Sequence, residues 1–203
     1  NLNSIYKGKN VIVGIIDTGI DYNHINFKDS KGNTRIKKAG KYNPKTKKVD
    51  LYTTPSSIAS LTTDNSAESH GTHVSGIAAG GYTNNNFHGM APESDIILFG
   101  LEEELTDANI IDGIKAVFDY ADSVKMPAVV NISLGVNVGP HDKTDSFNST
   151  IDKLTGEGKI VVFAVGNEGE NNLHINKVFN NQDTNKPQFS TIVEYEGKNY
   201  YSE

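Results

Sequence analysis

Three polar residues, Asp17, His70 and Asn167, have side chains that could supply a carboxylate, a general base and a hydrogen-bond donor. Asp17 follows an apolar run, where a carboxylate is partly desolvated unless a donor or a cation pairs with it. His70 begins a segment rich in small residues, and histidine is the usual general base because its free pKa lies near neutrality. Asn167 follows a second apolar run between two glycines, so its amide could donate a hydrogen bond to an anion. The set therefore predicts an acid, a base and an anion donor.

Each residue also has an ordinary structural interpretation. Asp17 could cap a turn, and Asn167 beside glycine is typical of turns. The Asp-Thr-Gly at 17–19 also matches the active loop of aspartic proteases. That fold is all-β and needs a second such loop, whereas this sequence has helical segments and a single Asp-Thr-Gly, so we reject it.

A zinc site is the other catalytic alternative, because His70 and His73 are three residues apart. Helical zinc peptidases use His-Glu-x-x-His, and here Gly71 and Thr72 stand between the histidines, so neither a base nor a third ligand is evident. We interpret His73 as a structural residue. We predict no metal at this site and no cofactor.

The elements that must position these residues can be predicted from periodicity. Apolar runs of strand length at 11–16, 96–101, 128–134 and 160–165 alternate with helical segments at 72–80, after Thr106, and at 146–154. Strands that are apolar on both faces and alternate with helices predict an α/β three-layer sandwich with a mostly parallel sheet. Reactive groups in such sheets gather beyond the carboxyl ends of the strands. This rule places Asp17, 133–135 and Asn167 at one edge.

Composition excludes several classes of protein. The 203 residues suffice for one domain with a sizeable core, and the absence of cysteine excludes disulfides and thiolate metal sites. No apolar run approaches the ~20 residues of a membrane span. The basic stretch 28–48 contains Gly, Asn and Pro without a helical or alternating pattern. We interpret it as a solvated surface loop and predict neither nucleic-acid binding nor membrane insertion.

Four motifs in order carry a family resemblance over about residues 8–169. They are Asp-Thr-Gly-Ile-Asp at 17–21, His-Gly-Thr-His-Val-Ser-Gly at 70–76, Asn-Ile-Ser-Leu-Gly at 131–135 and Ala-Val-Gly-Asn-Glu-Gly at 164–169. The chain resembles the subtilisin-like serine proteases, or subtilases, in which the acid precedes the histidine and the serine follows both. The tail, with Pro140, His141 and Asp142, resembles a clostridial branch that includes spore-germination proteases.

The resemblance implies a role for each matching residue. Asp17 is similar to the acid that orients the imidazole, His70 to the general base, and Asn167 to the side-chain donor of the oxyanion hole, whose removal costs on the order of 10²–10³ in turnover in subtilisin. Ser133, Leu134 and Gly135 match the strand that pairs with a polypeptide substrate. Leu101 and Glu102 match the opposite wall of that cleft, so the substrate would bind as an added strand.

The sequence departs from the family because it contains no Gly-Thr-Ser motif for the nucleophile. Ser146, Ser149, Ser190 and Ser202 lie in unrelated contexts. We expect an endopeptidase whose serine comes from sequence beyond this chain, so that the fold is incomplete at its C-terminus and the fragment alone is inactive. The alternative is a non-catalytic pseudoenzyme or a processed fragment that binds a peptide or a partner, including the C-terminal remainder of the same protease.

The family resemblance also divides the chain. We assign 1–169 to the catalytic domain and 170–203 to a divergent tail, whose alternating stretch at 189–196 could begin an inserted β segment. The Asn-rich loop at 80–89 lacks the spacing of the family's calcium loop, so we predict no metal there. A secreted or cell-associated bacterial enzyme is favoured, although a cysteine-free chain also fits a cytoplasmic one.

Four acidic residues suggest a specificity. Glu102, Glu103, Glu104 and Asp107 follow the strand at the cleft wall, where their field would attract Lys or Arg in the substrate. Their alternative role is to provide negative charge at the start of the helix after Thr106.

Overall fold

The computed structural model of the chain describes residues 6–65, 67–82, 87–102, 104–135 and 144–170, together with two strands at 191–195 and 198–202. The chain divides into two compact units, Asn1–Gly166 and Asn167–Glu203. Within the described ranges, none of the helices combines the length and the apolar character that a membrane crossing requires.

The first unit is built on a six-stranded sheet in the order β3-β2-β4-β1-β5-β6. All neighbouring strands are parallel except β2 and β3, which pair antiparallel. The α/β class predicted from the sequence is therefore confirmed. The strands are β1 (Ile12–Asp17), β2 (Ile36–Asn43), β3 (Lys48–Tyr52), β4 (Asp95–Gly100), β5 (Ala128–Ile132) and β6 (Lys159–Phe163).

The described residues of this unit form four α-helices, α1 (Pro55–Ala59), α2 (His70–Ala79), α3 (Asp107–Val124) and α4 (Ser146–Leu154), and a short 3-10 helix at Ile25–Phe27. The longest, α3, begins as predicted at Thr106, whose hydroxyl oxygen accepts a hydrogen bond from the Asn109 amide at 3.3 Å. It ends at Lys125, which adopts a left-handed conformation with φ 55°. Its buried face consists of Ile110, Gly113, Ile114, Val117, Phe118 and Ala121.

Two apolar cores lie on opposite faces of the sheet because successive strand side chains alternate between faces. On one face, Ile12 and Ile16 of β1 pack in the core that contains residues of α3 and α4. On the other face, Ile15 packs in the core that contains Ile58 of α1 and Ala79 of α2. The central strand β1 is buried along its whole length. This arrangement explains its continuous apolar sequence.

The interpretation of 28–48 as a surface loop is wrong, because most of this stretch forms the hairpin of β2 and β3 at one end of the sheet. The alternating pattern is hidden because the pairing of β2 with β4 shifts register between Ile36 and Lys38. The buried side chains of Ile36 and Ala39 are therefore three residues apart, and Tyr42 is buried as well. Between them, Gly40 leaves space for Phe99: an added Cβ would lie 2.3 Å from the Phe99 ring.

The second unit contains an antiparallel hairpin of β7 (Thr191–Tyr195) and β8 (Lys198–Ser202). Strand β7 falls within the stretch at 189–196 that alternates in the sequence. The assignment of 170–203 as the start of an inserted segment stays a prediction.

Candidate active site

Asp17 is the last residue of β1, at the carboxyl end of a strand that lies between β4 and β5. Its side chain has no solvent exposure. One oxygen, Oδ1, accepts a hydrogen bond from the Thr18 amide at 2.7 Å. The sheet thus buries a carboxylate at the edge where polar residues of an α/β protein converge.

His70 is the first residue of α2, and the loop after Asp17 anchors this end of the helix. The Gly71 amide donates to the Thr18 carbonyl at 2.6 Å, and the Thr72 amide donates to the Gly19 carbonyl at 3.1 Å. A Cβ at Gly71 would lie 2.7 Å from the Thr18 oxygen, so only glycine permits this approach. The small residues of the His-Gly-Thr motif therefore bring the histidine against the end of β1.

The two side chains meet: His70 Nδ1 lies 2.7 Å from Asp17 Oδ1. Because an ionised carboxylate only accepts hydrogen bonds, we assign the Nδ1 proton to this contact, and Nε2 is then the nitrogen that can take a proton. About half of the His70 side chain, 49%, is exposed, whereas Asp17 is buried. A buried acid thus orients an accessible base.

Burial raises the pKa of Asp17 above its usual value of 3.8. The hydrogen bonds from His70 and from the Thr18 amide, together with the positive charge that His70 can carry, lower the pKa of Asp17, whereas the nearby charge of Asp64 raises it. Desolvation has the largest effect, because the carboxylate lies between two neighbouring strands. Keeping Asp17 ionised therefore lowers the stability of the folded protein.

Residues 8–194 match the model of the subtilase family. This chain belongs to the subtilase family.

Two relatives show how much of a known subtilase's length this chain covers. It is 32% identical over 170 residues to the minor extracellular protease Vpr of Bacillus subtilis, covering 82% of this chain and 19% of Vpr. It is 30% identical over 165 residues to subtilisin DY of Bacillus licheniformis, covering 81% of this chain and 50% of that protein. The subtilase chain therefore spans at most half the length of these relatives.

Solved structures agree with this assignment. The structure of the Clostridium perfringens CspB protease superposes with a TM-score of 0.70 and 34% identity, over 83% of this subtilase chain and 38% of that one. The predicted resemblance to a clostridial branch is thus matched by a clostridial structure. Pro140, His141 and Asp142, which contributed to that prediction, lie outside the described residues.

The predicted substrate-binding segments of the subtilase follow the two strands beside β1. Ser133, Leu134 and Gly135 come directly after β5, and Ser133 Oγ accepts from the Asn131 side chain at 2.9 Å. Glu102 lies two residues after the end of β4. Because the sheet order is β4-β1-β5, these segments lie on the two sides of Asp17.

The role of Leu101 at the cleft wall stays a prediction, and the structure shows how this residue is held. Its side chain is fully buried in the core. Its amide donates to the Asp17 carbonyl at 3.0 Å, and its carbonyl accepts from the Glu104 amide at 2.9 Å. Leu101 therefore supports the wall behind Asp17 through its own backbone.

Asn167 begins the second compact unit of the subtilase and is described only within it. Asn167 is exposed, and its backbone N–H donates to Glu168 Oε2 at 2.8 Å. The role of Asn167 as an oxyanion donor stays a prediction. So does the absence of calcium from the loop at 80–89, since residues 83–86 lie outside the described ranges.

A cavity of about 410 Å³ opens beside Glu102. Its wall combines two carboxylates, Asp50 and Glu102, with aromatic and polar groups from β2, β3 and the segment after α1. The lining residues are Lys41, Tyr42, Asn43, Pro44, Asp50, Tyr52, Ser60, Leu61, Thr62 and Glu102. The Lys41 ammonium is already engaged by the Thr62 and Thr63 carbonyls at 3.3 and 2.9 Å.

Sequence reasoning missed Asp64, a buried acid of the same region. It accepts hydrogen bonds from the backbone amides of Gly19, Ile20 and Glu102. These partners lie 38 to 45 residues away along the chain, so no local motif announces them.

Proposed function

We propose that this chain is the N-terminal part of a serine endopeptidase that hydrolyses peptide bonds through an Asp-His-Ser triad, with Asp17 and His70 as two of its members. The observation that carries the proposal is the 2.7 Å contact between a fully buried carboxylate and an accessible imidazole. The nucleophilic serine is supplied by sequence beyond this chain. Membership of the subtilase family supports this assignment.

The chemistry follows from the geometry of the pair. Nε2 of His70 removes the proton of the serine hydroxyl as its oxygen attacks the substrate carbonyl, and the resulting imidazolium is stabilised by Asp17 through Nδ1. The carbonyl oxygen becomes an oxyanion that accepts a hydrogen bond from the Asn167 amide group. His70 then protonates the departing amine, and water hydrolyses the acyl-enzyme with His70 again acting as base.

The last two strands of the sheet suggest where the proposed serine-bearing segment packs. Ile160 and Val162 of β6 are 53% and 46% exposed although their sequence is apolar. Their register partners on β5 pair in turn with Val13 and Ile15 of β1, so all of these residues face the side of the sheet that α2 covers. Within the residues that the structure describes, this apolar face beside the His70 helix is uncovered, which supports a further segment that buries it.

The substrate class is an extended polypeptide. The segments after β4 and β5 lie on both sides of Asp17, which supports binding of the substrate as a strand between Glu102 and the backbone of 133–135.

Comparison of two chain lengths tests the nucleophile. We expect the 203-residue chain to hydrolyse no peptide ester and to leave a fluorophosphonate probe unbound, whereas a chain that continues into a Gly-Thr-Ser segment does both. Ser→Ala in that segment is the control and should abolish both signals. Turnover by the 203-residue chain that disappears when one of its own serines is mutated would overturn the proposal. A continuing chain in which the serine is replaced would identify a non-catalytic binder.

A second expectation concerns specificity. Glu102 and Asp50 line the cavity beside the cleft, so we expect the full-length protease to favour Lys or Arg at a position preceding the cleaved bond. Glu102→Lys should weaken that preference by about 1 kcal/mol, the upper range for a partly exposed pair. The measurement is a peptide-library cleavage profile.

The matched control is Glu104→Lys, because it makes the same charge change at an exposed residue that does not line the cavity. Glu103 lies outside the described residues. A profile without basic preference, or one shifted equally by both variants, would leave these acids only their role at the start of α3.

A further inference from the structure

Asp64 is a buried acid that the proposed chemistry does not use. Its side chain is only 5% exposed, and in the described part of the chain no ion pair includes it. A buried carboxylate without a cation is costly unless hydrogen bonds satisfy it. Here the Gly19 amide donates to Oδ2 at 3.2 Å, the Ile20 amide donates to Oδ1, and the Glu102 amide donates to Oδ2 at 3.1 Å.

The first two donors belong to the loop that follows Asp17. The same loop receives α2, because the Thr18 and Gly19 carbonyls accept hydrogen bonds from the first amides of that helix. Gly19 adopts a φ of 73°, and a Cβ there would lie 2.6 Å from the Glu68 carbonyl carbon. The loop after Asp17 is therefore bound on two sides. Its amides donate to Asp64, and its carbonyls accept from the first turn of the His70 helix.

The third donor belongs to the substrate wall. Glu102 has a φ of 50°, a left-handed conformation that costs energy for any residue other than glycine. Its amide points to Asp64 Oδ2, so the carboxylate stabilises this conformation. The direction in which the chain leaves β4 thus depends on a residue from a different segment.

Gly100 and Tyr22 pack closely against the Asp64 side chain. The Gly100 amide donates to the Tyr22 hydroxyl oxygen at 3.1 Å, and that hydroxyl donates to the Gly40 carbonyl at 2.7 Å. A Cβ at Gly100 would lie 2.4 Å from the Tyr22 hydroxyl oxygen and 2.5 Å from the Asp64 carboxyl carbon. Burial, and then the charge of Asp64, raise the pKa of Tyr22 well above 10.0, so this hydroxyl remains a donor.

We propose that Asp64 is a positioning residue that couples the Asp17–His70 pair to the substrate wall at Glu102. One carboxylate fixes the loop that places the acid and the base, and it also fixes the turn that places the wall. This inference rests on the proposed peptidase function for its kinetic consequences, but the coupling itself is a property of the fold.

Asp64→Asn is the test variant because it preserves shape but replaces one acceptor oxygen with a donor group that faces an amide. In the full-length protease we expect kcat/KM to fall on the order of 10²-fold, the effect of a small displacement of reacting groups, with kcat lowered and KM raised together. Asp29→Asn is the matched control, since Asp29 accepts from the Lys31 and Asn33 amides in a distant surface loop. Its kcat and KM should equal those of the wild type.

Two measurements separate positioning from activity. Proton NMR of the His70 Nδ1 hydrogen should show a downfield line in the wild type and in Asp29→Asn, and a shifted or broadened line in Asp64→Asn. Hydrogen exchange of the wild type should show the Gly19, Ile20 and Glu102 amides protected together. This measurement tests the coupling even if Asp64→Asn does not fold.

The outcomes are distinct. Fast exchange of the Glu102 amide, or Asp64→Asn with unchanged kinetics and an unchanged His70 line, would overturn the coupling. A wild-type protein that lacks peptidase activity but shows the NMR and exchange effects would overturn the proposed function and leave the coupling standing.

Discussion

Replacing His70 with Ala is expected to lower kcat of the full-length protease by a factor on the order of 10⁶, the magnitude found for the corresponding histidine in subtilisin. The reason is that His70, the proposed base, contacts the buried Asp17 and is itself about half exposed to solvent. The stability of the fold should fall by about 1–3 kcal/mol, because the substitution removes a hydrogen bond from the buried Asp17 carboxylate. Active-site titration with burst kinetics, together with thermal unfolding, measures both effects.

His73→Ala is the control for this prediction, because it makes the same substitution in the same helix at an exposed position. We expect its kcat to match that of the wild type. If the two variants lost activity equally, the loss would reflect damage to α2, and the assignment of His70 as the base would be wrong.

Asp17→Asn is expected to lower kcat by about 10⁴, since an amide holds the imidazole in the wrong tautomer. The same substitution should stabilise the folded protein at neutral pH. Burial raises the pKa of Asp17 in the folded state above 3.8, so its protonated form is favoured by folding. The contribution of Asp17 to stability is therefore fully present below pH 3.8 and is lost as the pH rises through the raised folded pKa.

Denaturant unfolding as a function of pH checks the sign of this effect. The stability of Asp17→Asn relative to wild type should increase between pH 3 and pH 7. Asp29→Asn should behave in the opposite way, because backbone and side-chain hydrogen bonds from Asn33 lower the pKa of Asp29 and its contribution is lost as the pH falls. A variant of Asp17 that becomes less stable relative to wild type toward neutral pH would show that hydrogen bonding outweighs desolvation.

The two expectations together describe a trade between activity and stability. The sheet buries this carboxylate so that it orients the base. Its removal therefore stabilises the folded protein and lowers kcat. Removal of the accessible His70 does not stabilise the fold in this way. The comparison therefore separates the buried acid from the exposed base by stability as well as by rate.

The sequence by itself determined the elements around the site. The apolar runs before Asp17 and near 96–101 became β1 and β4, and Thr106 is the N-cap of α3 as predicted. These signals are local: a buried parallel strand is continuously apolar, and a helix start needs an acceptor for its free amides. The pairing of Asp17 with His70 was implied by the family resemblance of their two motifs, and the two side chains are in contact in the structure.

Only the tertiary structure decided the remaining features. The strand β2 was hidden in a lysine-rich stretch, since a register shift breaks the two-residue period and the apolar partners belong to β4. Asp64 carried no signal because its donors are distant in sequence and are backbone amides, which every residue type offers. A sequence records side-chain identity, so a contact between a side chain and remote backbone becomes visible only when the chain is folded.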